Sequence, residues 1–258
     1  MTTWVLLRGL TREARHWGGF VATFAAALPG TQVLTIDLPG NGSLHQRTSP
    51  TEVGGYTAHV RAELAAQRVY GPVHVLAMSL GAMVAIDWAA RHPHELAGAV
   101  LINTSLRGVS PLHQRLRPRA LAALLRSAGA RDERRERTVL RLTSQWHADD
   151  AALLESWVAW RREHRVGLSN TLRQLVAAAR FRVPHERPAV PLLVLAGAGD
   201  TLVDPRCSFA LARRWGAAFR RHPHAGHDLP LDDGAWVAAR VRVWLQAATA
   251  ASANSASI

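Results

Sequence analysis

The chain of 258 residues has one cysteine, no lysine and no long apolar run, and each shortage excludes a class of protein. The single cysteine, Cys207, excludes a disulfide framework and any cysteine-rich zinc or iron–sulfur site. No stretch reaches the roughly 18–20 uninterrupted apolar residues of a membrane span. The first residues lack a basic segment followed by a long apolar one, so we expect a cytoplasmic protein without a signal peptide.

The positive charge is carried entirely by arginine. All 31 basic residues are arginine, and against 19 acidic residues they give a net charge of +12. Exclusive use of arginine in an alanine-rich chain is typical of a GC-rich genome, whereas a basic surface is typical of proteins with acidic partners. No nucleic-acid-binding motif accompanies the charge, so we expect no nucleic-acid partner.

Short apolar runs alternate with helical patterns at both ends of the chain, which predicts a mostly parallel sheet covered by helices on both faces. The predicted strands are 4–7, 32–36, 72–77, 97–103, 191–196 and 217–221. Only helical patterns occur over 106–187. We therefore predict an α/β core over 1–105 and 188–248, interrupted by a helical insertion over 106–187. Small and polar residues over 249–258 predict a disordered tail.

The strongest local signal is the segment from Val75 to Met83, where an apolar strand runs into a helix through small–x–Ser–x–Gly. Such a turn forces its serine, here Ser79, into a strained backbone conformation that raises the hydroxyl above the sheet. Ala77 stands where this turn usually has its first glycine. A plain helix N-cap is the alternative interpretation of Ser79, and the strand before and helix after it disfavour that alternative.

An activated serine needs a histidine base and a carboxylate that orients the base. In hydrolases whose serine stands above a sheet on such a turn, the chain order is Ser, then Asp or Glu, then His. Asp200 follows a predicted strand, at the edge where α/β sheets place their sites. Asp204 in the same loop is the alternative acid. His227, which follows a glycine, is the favoured base, and His224 is the alternative.

The tract His222, His224, His227, Asp228 also resembles metal-ligand spacing. No second cluster of histidine, cysteine or carboxylate completes such a site. We expect neither a metal nor a cofactor.

Hydrolysis through a serine also needs two backbone N–H groups aimed at the developing negative charge. One should be that of Leu80, which follows the serine at the positive end of a helix. The other should come from the loop after the first strand, and we expect it to be that of Leu10. These two amides are the predicted oxyanion hole.

Together these residues resemble the α/β-hydrolase superfamily, and within it the small carboxylesterases typified by pimeloyl-acyl-carrier-protein methyl ester esterases. The resemblance covers nearly the whole chain before the tail. It rests on Gly9 with Trp17 downstream, Asp37-Leu38-Pro39-Gly40-Asn41-Gly42, the Ser79 turn, Gly197-x-x-Asp200 and Gly226-His227. It implies a carboxylic ester hydrolase with Ser79, His227 and Asp200 as its triad. C–C bond hydrolases, thioesterases, lactonases and non-catalytic ligand-binding proteins share these motifs or this fold and stay open as alternatives.

The chain departs from the family pattern at three places. The family usually has histidine where Arg8 stands, and often where Asn41 stands. It also generally has a two-strand hairpin before the strand that begins here at about Trp4. We therefore predict a six-stranded sheet with 32–36 at an edge, which is open to pairing with a second copy of the chain.

The resemblance implies that the insertion over 106–187 is a lid that shapes the substrate pocket. Trp146, Trp157 and Trp160 are the predicted pocket residues, and packing of lid helices on the core is the alternative.

The predicted lid holds 17 arginines against eight acidic residues, a net charge of +9. Two runs carry much of it: Arg115, Arg117, Arg119 and Arg131, Arg134, Arg135, Arg137. They could bind an anionic substrate or an acyl group on an acidic carrier protein. The alternative is weak internal pairing with Asp132, Glu133 and Glu136.

Overall fold

The computed structural model describes residues 2–255, and for 249–255 it describes the backbone alone. The predicted disordered tail, 249–258, overlaps the end of the last helix, which runs to Ser255, and its residues 256–258 lie outside the described residues. The strands are β1 (Thr2–Leu7), β2 (Thr31–Ile36), β3 (Val73–Met78), β4 (Leu96–Ile102), β5 (Leu192–Gly197) and β6 (Ala218–His222). The helices are α1 (Phe20–Ala27), α2 (Val53–Ala66), α3 (Leu80–Arg91), α4 (Leu112–Arg115), α5 (Pro118–Ser127), α6 (Asp132–Thr143), α7 (Ala151–Glu163), α8 (Leu168–Arg180), α9 (Arg206–Trp215) and α10 (Leu229–Ser255). None of them, over these residues, is long and apolar enough to cross a membrane.

The strands form one parallel sheet in the order β2-β1-β3-β4-β5-β6. The predicted six strands and the edge position of 32–36 are confirmed. From β1 the chain continues to β2 on one side, and from β3 it continues to β4 on the opposite side. The connections that leave the carboxyl ends of β1 and β3 therefore run apart. This is the topological switch point, where α/β sheets form their ligand crevice. Pairing of the open β2 edge with a second copy stays a prediction.

Helices cover both faces of the sheet, so the central strands are apolar on both sides. In β1, Val5 and Leu7 pack against α2 and α3, while Trp4 and Leu6 face α1 and α10. All four side chains are fully buried. A buried Val or Leu contributes about 1.5–3 kcal/mol, which explains why the strands could be read from short apolar runs.

The helix α2 was not predicted from the sequence. Gly54 and Gly55 occupy its first turn, and each glycine disfavours a helix by about 1 kcal/mol relative to alanine. A Cβ on Gly55 would lie 2.7 Å from Cβ of Pro50, so the chain is packed too closely there for a larger residue. Burial of Tyr56 and Val60 against the sheet stabilises the helix despite its glycines.

The five helices α4 to α8 all lie between β4 and β5, within the stretch 106–187, and are called here the helical insertion. The insertion has a small core of its own, formed by Leu140, Leu154, Trp157 and Val158.

Candidate active site

Ser79 is the single residue between the end of β3 and the start of α3. Its φ of 51° and ψ of −113° lie in a left-handed region that a residue with a side chain rarely adopts. A Cβ on Gly81 would lie 2.6 Å from the carbonyl oxygens of Leu7 and Arg8, so α3 starts directly against the end of β1. The strained turn expected from the sequence is present, and it places Ser79 at the switch point of the sheet.

His227 and Asp200 are both buried and hydrogen-bonded to each other, with 2.7 Å between His227 Nδ1 and Asp200 Oδ2. The other carboxylate oxygen, Oδ1, accepts the backbone N–H groups of Leu202 and Val203, each at 2.8 Å. Because the carboxylate accepts at both of its oxygens, Nδ1 is the ring nitrogen that donates to it, which leaves Nε2 as the acceptor of the ring.

The alternative residues lie elsewhere. Asp204 accepts the guanidinium of Arg206 at 2.7 Å, and this hydrogen bond lowers the pKa of Asp204. His224 is exposed. His222 Nδ1 accepts the backbone N–H of Ala225, so this ring supports the loop that leads to His227. No group of three side chains fit to hold a metal occurs among the described residues.

Ser79 and His227 line the same cavity of about 250 Å³. Its wall is largely apolar and includes Leu112, Leu116, Leu124, Val139, Trp157 and Leu175 of the helical insertion. Leu10 and Leu80 line it too, and among the described residues their backbone N–H groups have no hydrogen-bond partner. Two free N–H groups beside a serine are suited to stabilise negative charge on a substrate carbonyl oxygen.

Comparison with known families identifies the family of the chain. The model of the alpha/beta hydrolase family matches residues 4–240. The chain belongs to this family. Its members include enzymes of several hydrolytic specificities, so membership establishes a hydrolase fold rather than a substrate.

Two curated relatives of this α/β-hydrolase carry different names. This chain is 28% identical over 245 residues to the pimeloyl-acyl-carrier-protein methyl ester esterase of Aromatoleum aromaticum, and the match covers 86% of this chain and 90% of that protein. It is 28% identical over 213 residues to an Escherichia coli O157:H7 protein with the provisional name of carbamate hydrolase, covering 80% and 77%. The resemblance to small carboxylesterases is confirmed.

Solved structures agree in fold. The enol-lactonase of Burkholderia xenovorans LB400 matches with a TM-score of 0.77 at 19% identity, over 95% of this chain and 91% of that one. A thermophilic esterase of Thermogutta terrifontis matches with a TM-score of 0.72 at 19% identity, over 95% and 90%. At such identities the likeness concerns the α/β-hydrolase fold alone.

Of the three tryptophans predicted to line the pocket of this α/β-hydrolase, only Trp157 lines the cavity that contains Ser79. Trp146 is 51% exposed and packs edge-on against His222, at 5.6 Å between ring centroids. Trp160 lies in a separate cleft beside His16, at 5.1 Å. The prediction for Trp146 and Trp160 is therefore corrected, because α7 turns only one of its tryptophans inward and Trp146 precedes that helix.

A buried ion pair that the sequence did not reveal adjoins the candidate site of the α/β-hydrolase. Both terminal nitrogens of Arg8 donate to the carboxylate of Asp228, at 3.0 and 2.5 Å, and both residues line the serine cavity. The guanidinium also lies over the ring of Trp17, 4.8 Å from its centroid. Arg8 stands two residues before Leu10 in the loop after β1, and Asp228 directly follows His227. The ion pair therefore joins the loop that carries the candidate Leu10 amide to the loop that carries His227.

Asn103, just after β4, was also missed. Its Nδ2 donates to the carbonyl oxygens of Gly226 and His227, at 3.0 and 2.8 Å, and its Oδ1 accepts the backbone N–H of Gly197 at 3.0 Å. One side-chain amide thereby fixes the histidine loop to the end of β5. An asparagine after a strand gives no sequence signal for such a role.

Replacing Asp228 with alanine should lower the free energy of unfolding by about 3–5 kcal/mol, because it leaves the Arg8 guanidinium buried without its partner. Replacing both residues, as R8M/D228L, should recover most of that loss, since apolar side chains can take the place of a buried ion pair. Urea unfolding followed by circular dichroism measures both effects.

The control is the exposed pair of Glu133 and Arg137, 2.6 Å apart in α6. Glu133→Ala should change the free energy of unfolding by less than about 1 kcal/mol. Equal losses in Glu133→Ala and Asp228→Ala would show that the buried pair has no special structural role.

Proposed function

We propose that this hydrolase is a serine carboxylesterase that works through an acyl-enzyme intermediate. The observation that carries the proposal is the 2.7 Å hydrogen bond between His227 and Asp200, on an imidazole that lines the same cavity as Ser79. The strained backbone of Ser79 supports it, because a folded chain retains such a conformation only where the surrounding structure holds it in place.

In the proposed acylation step, Ser79 Oγ attacks the ester carbonyl carbon while His227 Nε2 takes the hydroxyl proton. The carbonyl oxygen becomes an oxyanion that accepts the N–H groups of Leu10 and Leu80. The intermediate then expels the alkoxide, and His227 returns its proton to it, so an alcohol leaves and an acyl-serine stays. Asp200 keeps the ring oriented and stabilises the imidazolium.

In the proposed deacylation step, a water molecule gives a proton to His227 and attacks the acyl carbon. The same two amides bind the second oxyanion. Collapse of this intermediate releases the carboxylic acid, and His227 reprotonates Ser79. Each proton is taken and returned by a group of the chain, so we propose no metal and no cofactor.

We further propose that the helical insertion acts as the lid of this site. Its leucines form much of the cavity wall, so an ester that reaches Ser79 lies against them. An apolar wall favours an apolar acyl or alcohol group by about 25 cal/mol for each Å² of apolar surface that leaves water.

A panel of substrates tests the proposal: p-nitrophenyl esters from acetate to dodecanoate, an acyl thioester, a lactone and a vinylogous diketone. We expect saturable turnover with the highest kcat/KM on an ester. Turnover of the diketone alone would establish C–C bond hydrolysis instead. Saturable binding of esters without turnover would establish a non-catalytic binding protein.

A further inference from the structure

Three arginines line the serine cavity, and they differ in their partners. Arg8 is paired with Asp228, and Arg12 is paired with Glu136 at 2.7 Å. Arg115, at the end of α4, has no carboxylate partner among the residues that the structure describes. Among the described residues, Arg115 is therefore the arginine of this cavity whose charge is not balanced by a carboxylate.

The contacts of Arg115 leave much of its guanidinium unused. Nη2 donates to the backbone carbonyl of Ala178 at 2.7 Å, while Nε is buried without a partner. Burial lowers the pKa of this guanidinium. An arginine nevertheless stays protonated in a protein, so a cation with free donor capacity remains beside an apolar wall.

A half-buried cation without a counterion is unfavourable unless something completes it. None of the eight acidic residues of the insertion, all within the described part of the chain, pairs with Arg115, and several of them pair with other arginines. Asp132 and Glu136 both pair with Arg161, and Glu133 pairs with Arg137. An anion supplied from outside the chain is therefore the group that would satisfy Arg115.

We propose that Arg115 binds a carboxylate of the substrate, so that the favoured esters carry a free carboxylate at the far end of an apolar chain. This inference rests on the proposed esterase function and names its substrate class. The planar guanidinium suits a carboxylate, and charged hydrogen bonds of this kind are about twice as strong as neutral ones. The leucines that line the same cavity would contact the apolar part of such an ester. The carboxylate can belong to the acid or to the alcohol part of the ester.

Matched esters separate charge from chain length. Monomethyl esters of dicarboxylic acids carry the carboxylate on the acyl side, and their dimethyl esters are the same molecules without the charge. Acetate esters of ω-hydroxy acids carry it on the alcohol side, with their methyl esters as neutral partners. The measured quantity is the ratio of kcat/KM for the charged ester to that for its neutral partner, at several chain lengths.

We expect the wild-type ratio to exceed one on one of the two sides. In Arg115→Gln it should fall roughly tenfold or more, as expected for loss of one charged hydrogen bond. Arg115→Lys should recover part of it. Raising the salt concentration from about 0.05 to about 0.5 M should lower the ratio in the wild type and have little effect in Arg115→Gln.

The control variant is Arg126→Gln, because Arg126 is exposed on α5 and does not line the cavity. It changes the net charge of the insertion by the same amount and should keep the wild-type ratio. An equal fall in Arg126→Gln would replace the Arg115 site with general attraction by the basic surface. A wild-type ratio at or below one on both sides would overturn the inference.

Failure of the proposed function is distinguishable from failure of this inference. If no ester of either class is turned over, the esterase proposal fails. Binding of the free dicarboxylates by Arg115 is then measured by calorimetry on wild type and Arg115→Gln. Binding that is lost in the variant would still support a carboxylate site, and the absence of binding in the wild type would overturn it.

Discussion

Replacing Ser79 with alanine should lower kcat for ester hydrolysis by roughly 10⁴- to 10⁶-fold. His227 then has no hydroxyl to deprotonate, and no acyl-enzyme can form. The residual rate would come from binding and from the free N–H groups of Leu10 and Leu80. Initial rates at saturating p-nitrophenyl butyrate, with unfolding in urea as a check of the fold, measure the effect.

Ser169→Ala is the matched control, because Ser169 is exposed on α8 and has no described side-chain hydrogen bond. It should keep the wild-type rate. A folded Ser79→Ala variant with more than about one per cent of the wild-type kcat would contradict nucleophilic attack by Ser79.

The second large effect is expected for Asp200→Asn, which should lower kcat by about 10³- to 10⁴-fold. An amide at this position can donate to His227 Nδ1 and thereby favour the tautomer whose proton sits on Nε2. An imidazole of that tautomer cannot accept the proton of Ser79. The backbone N–H groups of Leu202 and Val203 still have an oxygen to bind, so the loop should hold its shape.

Asp204→Asn is the corresponding control within the same loop. Asp204 contacts Arg206 and Arg117, with 3.7 Å to the latter, and makes no contact with His227. We expect the kcat of the Asp204→Asn variant to stay near that of the wild type. If Asp204→Asn loses as much activity as Asp200→Asn, the assignment of the orienting acid is wrong.

The sequence predicted those parts of the fold whose cause is local. Each central strand is a short, mostly apolar run, because burial on both faces favours apolar side chains at most positions. The turn at Ser79 was visible because its backbone requires small neighbours at fixed spacing. Asp200 and His227 were found through chain order, and the structure places them within hydrogen-bonding distance.

The missed features depend on residues far apart in the chain. Arg8 and Asp228 are separated by 220 positions, and neither has a neighbour in the sequence that indicates the other. The orientation of Trp146 and Trp160 depends on how the helices of the insertion pack against the core. The spacing of the tryptophans in the sequence does not define that packing. The helix α2 was missed because tertiary burial outweighs the low helix propensity of its glycines.

Labelling with a fluorophosphonate probe tests the central claim most directly, because such probes react with the activated serine of a serine hydrolase far faster than with an ordinary serine. Mass spectrometry of the folded wild-type protein should find one adduct per chain, and peptide mapping should place it on Ser79. The Ser79→Ala variant should stay unlabelled, and Asp200→Asn should react much more slowly. A folded wild type that takes up no probe, or takes it up at another serine, would contradict catalysis by Ser79.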